Sequence, residues 1–567
     1  MGAQRLRWVR QRGRMGTDNR GGPARQDSFE QPGSMTVDEA LDKIGLGRGQ
    51  AFSISVMCLF WVSESMQSFI FFYLPSALRD TWGTGADAVA WVDASFFIGA
   101  FIGAIFGGWA ADKFERKPTL LVAAAFSAVT GIACYWAMDF WYLSTMRFLV
   151  GLGNGAFAPA SLTMTLETVP RKYRGQVAMA VAGFSAATGR LLAALLGLAL
   201  YDEEYNPEYV RFGWKTTLLI ATIPIIIALF LGLYVLGRSA RWLLVKGKRQ
   251  EASDALHALA LKNGTADQFP KGTPLRTTED DVALAGEYHD DTYSRMLEPP
   301  LSTVLLLCSL SHVLISIAYF GMIYALPVYL VSYGARNHWT EFEKDFVLVI
   351  IAGSEPVAIF VALWTIQLPG VGRRITTVAC MVGASVFCVL FNFHVISTLT
   401  RNSYMLTVTH FFARGFAAVA ILASNLYVGE IFPTRYRGQA VAIAMSTGRL
   451  GAALAPLITG FLLLDVPEMD LGMWSKLQPL RIYMLFAILS GLAAWLFSEL
   501  GLETGNSSLP DHEGDLAEQM TDSEFGGTVG KVLHKETSPL IPRRRKESLG
   551  APLDSKGSSG DLESPAA

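Results

Sequence analysis

Charge is scarce in this chain. Asp, Glu, Lys and Arg make up 17% of 567 residues, against a 51% hydrophobic share. Soluble domains carry about 25% charged residues, so a water-soluble protein of this size is excluded. Cysteine is scarcer still. Cys58, Cys134, Cys308, Cys380 and Cys388 all fall in apolar runs, so no disulfide framework is expected and they read as small buried hydrophobes. His, Cys and acidic residues nowhere cluster at metal-ligand spacing, and no nucleophile–base constellation stands out, so neither a metal, another cofactor nor an enzyme activity is expected. No basic patch or nucleic-acid motif is present, which excludes a nucleic-acid partner. The net charge of −2 says nothing further, because the charges are unevenly placed. The N-terminus also lacks the short apolar core and cleavage site of a signal peptide, so the first apolar run is expected to direct insertion itself.

What the chain has in abundance is long apolar runs, such as Thr217 to Gly237 and Ser302 to Leu330. A run of roughly 20 apolar residues spans a bilayer as a helix, and about twelve such runs lie between Gln50 and Leu500. They predict an all-α membrane protein of twelve spans in two six-helix halves. The expected organisation is a polar N-terminal tail over 1–49, a first half over 50–237, a charged linker over 238–299, a second half over 300–502 and a disordered tail over 503–567. The stretch Val37 to Ile44 has helical spacing and is expected at the membrane surface.

Basic residues sort the loops. Lys113, Arg116, Lys117, Arg171, Lys172, Arg174, Arg373, Arg374, Arg435 and Arg437 lie on one side, and acidic groups such as Asp202-Glu203-Glu204 and Asp465 lie on the other. The positive-inside rule then places both tails and the linker in the cytosol. The sequons at Asn263 and Asn506 fall on that side and are expected to stay unglycosylated. In the C-terminal tail, Glu536 followed by Leu540 and Ile541 has the form of an acidic dileucine sorting signal, a binding site for sorting adaptors. It would suit the plasma membrane or an endosomal or vacuolar membrane of a eukaryotic cell. The run Arg543 to Lys546 behind it suits anionic lipid or plain solvent.

The chain also says one thing twice. Pro170-Arg171-Lys172-Tyr173-Arg174-Gly175-Gln176 returns as Pro433-Thr434-Arg435-Tyr436-Arg437-Gly438-Gln439, each copy preceded by a glutamate, Glu167 and Glu430. Each is followed by an apolar helix carrying Thr-Gly-Arg, at Thr188 to Arg190 and Thr447 to Arg449. The glycines stand 438 − 175, or about 263, residues apart, which is one domain length. An arginine inside an apolar helix is costly and marks a functional site by default. Five charged residues lie near mid-span at the helical rise: Glu64, Arg190, Glu355, Arg414 and Arg449.

Gly107-Gly108-Trp109-Ala110-Ala111-Asp112-Lys113-Phe114-Glu115-Arg116-Lys117 resembles the signature loop of the major facilitator superfamily. It departs at Glu115, where the pattern has glycine. Arg241 to Lys248 resembles the stretch after the sixth span of sugar porters and organic-ion transporters, with Arg238 and Ala240 in place of the usual glutamate and proline. Ala413 to Phe416 and Gly448 to Ala452 are similar to the branch of synaptic-vesicle-2-related proteins, niacin transporters and aromatic acid:proton symporters. The aspartate pair of the aromatic acid symporters is replaced by Ser63-Glu64-Ser65-Met66.

The resemblance implies a carrier that rocks two halves about a midplane site. Its inner gate would be built from Asp112, Arg116, Lys117 and the pairs Glu167/Arg174 and Glu430/Arg437. The resemblance also makes the fifth and eighth spans face each other, as do the second and eleventh. Arg190 and Glu355 are then expected to pair. Arg449 has only Asp93 as an acidic candidate, at a different depth, and is expected to stay partly free for an anion. Arg147, with His410 as its second-half counterpart, and Asp93 are coupling candidates, while Glu64 could bind a proton or pair with an arginine. Aromatics on the first and seventh spans, Phe69, Phe71, Phe72, Tyr73, Tyr319, Phe320 and Tyr324, are expected chiefly at lipid-facing positions. The histidines at 312, 394 and 410 read as satisfied by single hydrogen bonds.

Together these point to a monomeric carrier in the lipid bilayer for a small organic solute. An organic, possibly aromatic, carboxylate moved with protons fits the arginines best. The alternatives are an organic cation bound at Glu64 and Glu355, a sugar, or a non-transporting membrane sensor or trafficking protein of the same fold.

Overall fold

In hydrocarbon every backbone N–H and C=O must be satisfied within the protein, which leaves helices or closed barrels as spanning structures. The chain takes the helical solution. The computed structural model describes residues 34–70, 78, 81–83, 86–200, 207–276, 301–337, 339–366, 371–396, 403–432, 434–464 and 474–500. Among them the only extended pairing is an isolated bridge between Met35 and Leu275. Phe71, Phe72, Tyr73, Glu536, Leu540, Ile541 and Asn506 lie outside the described residues, as do the side chains of Asp112, His394, Arg435 and Arg437.

A short α1 (Val37–Ile44) precedes α2 (Arg48–Phe69), α3 (Ala86–Phe114), α4 (Arg116–Ala133) and α5 (Phe140–Thr168). Then α6 (Arg174–Met179) runs through one π turn (Ala180–Phe184) into α7 (Ser185–Leu200), and α8 (Pro207–Val235) completes the first half. The linker folds α9 (Ala240–Val245) and α10 (Arg249–Asn263). The second half holds α11 (Leu301–Asn337), α12 (Glu341–Ala352), α13 (Ser354–Thr365), α14 (Arg373–Ile396), α15 (Ser403–Ile431), α16 (Thr434–Leu464) and α17 (Trp474–Ser498). Ten spans among the described residues are long and apolar enough to cross a membrane. Less apolar α2 and α5 occupy the first and fourth positions expected from sequence.

Local signals set the ends. Thr36 and Glu39 form a reciprocal capping box on α1, Thr340 and Glu343 do so on α12, and Asp139 caps α5 by accepting the Tyr142 N–H. Within the first half, α3 and α5 touch backbone to backbone. A Cβ on Gly151 would lie 1.9 Å from the Phe96 carbonyl oxygen, and one on Gly103 2.1 Å from that of Leu152. Small residues four apart permit this approach, which gives helices in lipid the van der Waals contact that drives their association. Between the halves, α3 packs against α16 and α7 against α12, so the second and eleventh spans face each other, as do the fifth and eighth.

The segment Val37 to Ile44 is not a free surface helix. Val37, Ala40, Leu41 and Ile44 bury against Leu243, Leu244, Leu256 and Phe269 of the linker, forming a small core of their own. The amphipathic spacing was legible, but its partner is protein: α9 and α10 offer an apolar face at the same end of the bundle.

Candidate functional site

Glu355 sits where span eight loosens. Gly353, between α12 and α13, keeps right-handed helical backbone and donates its N–H to the Val349 carbonyl at 3.0 Å, so the span continues through it, and Glu355 stands in the first turn of α13. Pro356 follows; with no N–H to donate, it removes one hydrogen bond from the helix at this point.

Glu355 is fully buried and shared three ways. Arg190 of α7 donates its Nε–H to Oε2. Arg414 of α15 donates Nε–H to Oε1 at 2.6 Å, and the Tyr319 hydroxyl of α11 donates to the same oxygen at 2.6 Å. The guanidinium of Arg414 also lies 4.6 Å over the Phe69 ring and that of Arg190 5.9 Å from the Tyr319 ring, cation–π contacts that are strong in dry surroundings. Phe69, Tyr319 and Tyr324 are buried in the bundle, with 2%, 3% and 4% exposure. Phe320 stacks edge-on against Phe97 from the other half. These aromatics thus face inward and not toward lipid, because the charges they cover must be shielded from it.

Backbone approach places both motif arginines. The Gly189 Cβ position lies 2.4 Å from the Val62 carbonyl oxygen on α2, and that of Gly451 2.5 Å from the Val313 oxygen on α11. Gly189 beside Arg190 and Gly451 two residues past Arg449 let spans five and eleven press onto spans one and seven, delivering both arginines to the interface between the halves.

Arg449 meets an unexpected partner. Its Nη1 lies 3.1 Å from Glu64 Oε1, across from α2, but is not aligned as a hydrogen bond. The expectation that Asp93 would be its only acidic neighbour is corrected: reasoning over facing helix pairs omitted the reach of two long side chains across a shared space. Asp93 instead feels Arg147 of α5. Both Asp93 oxygens are buried without a hydrogen-bond partner. Arg147 donates to the Gln67 backbone oxygen at 3.1 Å and side-chain oxygen at 3.4 Å, and lies 4.6 Å over Phe96. Gln67 in turn donates to Thr222. His410 contacts Tyr483 through Nδ1 at 3.1 Å.

At the linker end of the bundle, the expected Glu167/Arg174 pair does not form. Glu167 binds Arg116 at 3.0 Å and accepts from Ser239. Arg174 binds Asp38 at 2.7 Å, and Asp38 also takes Arg241 and Arg171. A carboxylate from α1, outside the repeated motif, has displaced the local partner. Burial works against the Asp38 charge, but Arg241 and Arg174 outweigh it and hold the carboxyl well below its usual range. In the second half Glu430 binds Arg373 at 3.1 Å. Lys117 Nζ donates to the Leu233 and Leu236 carbonyls at the end of α8, as cations do at helix C-termini.

Glu115, the residue at the glycine position of the signature loop, has φ 95°. Its carboxylate takes Arg238 Nε at 3.1 and 3.2 Å, while Arg238 also reaches Glu251 at 2.7 Å. The hydrogen bonds that Arg238 donates to Glu115 and Glu251 raise its pKa. The two departures from the family pattern, at 115 and 238, are thus one contact. His312 bonds Asn425 and Ser424 of another span, a network whose only trace in the sequence is a histidine and an asparagine on different spans.

The profile of the family described as "Sugar (and other) transporter" matches residues 61–497. The chain belongs to that family. It is a multi-pass integral membrane protein of the major facilitator superfamily, and its fold is that of transporters. Among relatives of this family member are the organic cation/carnitine transporter 4 of Arabidopsis thaliana, 24% identical over 75% of this chain and 83% of that one. The synaptic vesicle 2-related protein of Bos taurus is 25% identical over 80% and 81%. Solute carrier family 22 member 7 of Rattus norvegicus is 28% identical over 76% and 72%. Among solved structures, the proton:xylose symporter XylE superposes with a TM-score of 0.64 at 17% identity, covering 81% of this chain and 97% of that one; at this identity the likeness is one of fold.

Proposed function

We propose that this transporter carries a small organic carboxylate, aromatic ones included, by alternating access driven by protons. One observation carries the reading: the charge count at the interface of the halves. Arg190, Arg414 and Arg449 meet Glu64 and Glu355, so three positive charges face two negative ones and the cluster is one charge short of neutral. Glu355 is saturated by two arginines and a tyrosine. Arg449 keeps unaligned donors beside Glu64, and its planar fork suits a carboxylate. Asp93, Arg147 and His410 serve the coupling of the two movements. The protein works as a monomer, with tails and linker in the cytosol, Asp112, Arg116, Glu167, Arg174, Glu430 and Arg437 closing the inner side, and adaptors reading the C-terminal tail.

The test is uptake of radiolabelled benzoate into proteoliposomes under an inward proton gradient. Arg449→Ala should cut uptake about tenfold to a hundredfold, as expected for losing a charge-assisted hydrogen bond of about 1.5–3 kcal/mol. Unchanged uptake removes Arg449 from the site. The organic cation reading is favoured by the name of the Arabidopsis relative; tetraethylammonium in the same assay decides it. The enclosure of Glu355 by two arginines weighs against it, since a cation would have to displace them.

A further inference from the structure

His312 lies buried on α11 with acceptors at both ring nitrogens. Nδ1 is 3.0 Å from the Cys308 carbonyl oxygen, and Nε2 is 3.0 Å from Asn425 Oδ1 and 3.0 Å from Ser424 Oγ, both on α15. The Ser424 hydroxyl has its own acceptor, the Ile421 carbonyl, at 2.9 Å. A neutral imidazole has one N–H and one lone pair. With the proton on Nδ1, the Nε2 lone pair would face the Asn425 oxygen; with it on Nε2, the Nδ1 lone pair would face the Cys308 oxygen. A ring protonated on both nitrogens satisfies all of these contacts as they stand, donating from Nδ1 to Cys308 and from Nε2 to Asn425 and Ser424. A neutral ring with its proton on Nδ1 needs a donor at Nε2, which the Ser424 hydroxyl supplies if it leaves Ile421, or the Asn425 NH₂ if that amide turns.

The position matters as much as the state. His312 and Tyr319 are seven residues apart on α11, two turns along one face, or about 10 Å. Asn425 and Arg414 are eleven apart on α15, again on one face. The His312–Asn425 pair therefore forms a second polar layer below the Glu355 cluster, toward the Glu430–Arg373 end. Asn425 is half-buried there, so one end of its amide is left for a passing solute.

We propose that His312 binds a transported proton and that its charge sets which end of the Asn425 amide the solute meets. Protonated His312 takes the Asn425 oxygen and leaves the NH₂ to donate to a carboxylate. Neutral His312 takes the NH₂ and leaves the oxygen, which repels one. Proton and carboxylate then bind this layer together and leave together. The inference rests on the carboxylate reading above, and it deepens it. Among the described side chains, the other charged or titratable groups on the packed elements are Cys308, Tyr319, Tyr324 and Tyr329 on α11, Tyr404, His410, Arg414, Tyr427 and Glu430 on α15, Arg449 on α16 with its partner Glu64 on α2, Arg481 and Tyr483 on α17, and Glu343, Lys344 and Asp345 on α12. Of these, only Cys308 contacts the ring, through its backbone oxygen, so no fixed charge competes with Asn425 at hydrogen-bond distance.

The experiment is ¹⁵N NMR of the full-length, detergent-held protein with ¹⁵N-labelled histidine rings, from pH 5 to 8. With eight histidines in the chain, the signal is assigned by its loss in His312→Gln. The expected result is a ring carrying two protons at the acid end that gives up one on raising the pH. In Asn425→Leu its midpoint should fall by at least about one pH unit, since a unit corresponds to about 1.4 kcal/mol; in Asn425→Asp it should rise. If His312→Gln does not fold, the two Asn425 variants identify the ring by its displacement. A singly protonated His312 throughout, or a midpoint indifferent to both Asn425 variants, overturns the proposal. Because no solute is present, this outcome is separate from the benzoate assay. A responsive ring with no benzoate uptake would support the proton site and sink the carboxylate reading.

Discussion

At the residue scale, sharing of partners changes what a mutation should do. An isolated Arg190–Glu355 pair would tolerate reversal, Arg190→Glu with Glu355→Arg. The structure predicts otherwise, because Arg414 binds the same carboxylate and a reversed residue 355 would confront it with a like charge in a buried site. The doubly reversed protein should be no more active than either single variant. A neutral cycle, Arg190→Gln with Glu355→Gln, should still give a coupling of about 0.5–3 kcal/mol in thermal unfolding. Rescue by reversal would mean that Arg414 does not share Glu355. Glu115 offers a second case. Its φ of 95° with ψ of 148° costs a non-glycine residue about 1–3 kcal/mol, while its ion pair with half-exposed Arg238 is worth about 0–1 kcal/mol. Glu115→Gly should therefore be neutral to about 2 kcal/mol stabilising, and Glu115→Ala destabilising, in the same unfolding assay. Equal losses in both would show that the ion pair dominates.

At the scale of elements, α1 acts as a clasp. Asp38 joins the loop of the first motif copy, through Arg171 and Arg174, to the linker, through Arg241, while Asn263 ties α10 to the start of α2 through Gly45, Gly49 and Gln50. Asp38→Asn should loosen this unit, seen as faster proteolysis between 239 and 276 with the spans intact. Its pH dependence follows from the lowered pKa. A carboxyl held below its unfolded value stabilises fully above that value and loses the contribution only as pH falls through the folded one. Wild-type protection should thus be flat from about pH 5 to 8, and a loss of protection within that window would mean that Asp38 is not the anchor. The π turn at Ala180–Phe184 belongs to this scale too. It sits between the first motif loop and Arg190, where one extra residue per turn resets which face of span five the arginine presents.

At the scale of the whole molecule, orientation is open to a direct measurement. Asn263 has both amide ends engaged, so a glycan there would have to break the α10–α2 junction. We expect no glycan at Asn263 or Asn506 in a eukaryotic host, and protection of a tag at either terminus from added protease in intact cells. Glycosylation at Asn263 would reverse the assignment of tails and linker to the cytosol.

Much of this molecule follows from linear order alone. Apolar runs of bilayer length must become helices, and the repeated Glu-x-x-Pro-x-x-x-Arg-Gly and Thr-Gly-Arg motifs make the halves equivalent. The helical rise then puts Glu64, Arg190, Glu355, Arg414 and Arg449 at one depth. Depth and face are periodic properties of a helix, so they can be counted. Partner choice cannot. Glu64 meets Arg449, Asp38 takes Arg174 from Glu167, three donors converge on Glu355, and His312 finds Asn425 more than 100 positions away, because long side chains select among several helices at once. That selection depends on how closely glycines such as Gly151, Gly189 and Gly451 let the helices approach. The tertiary structure alone decides it.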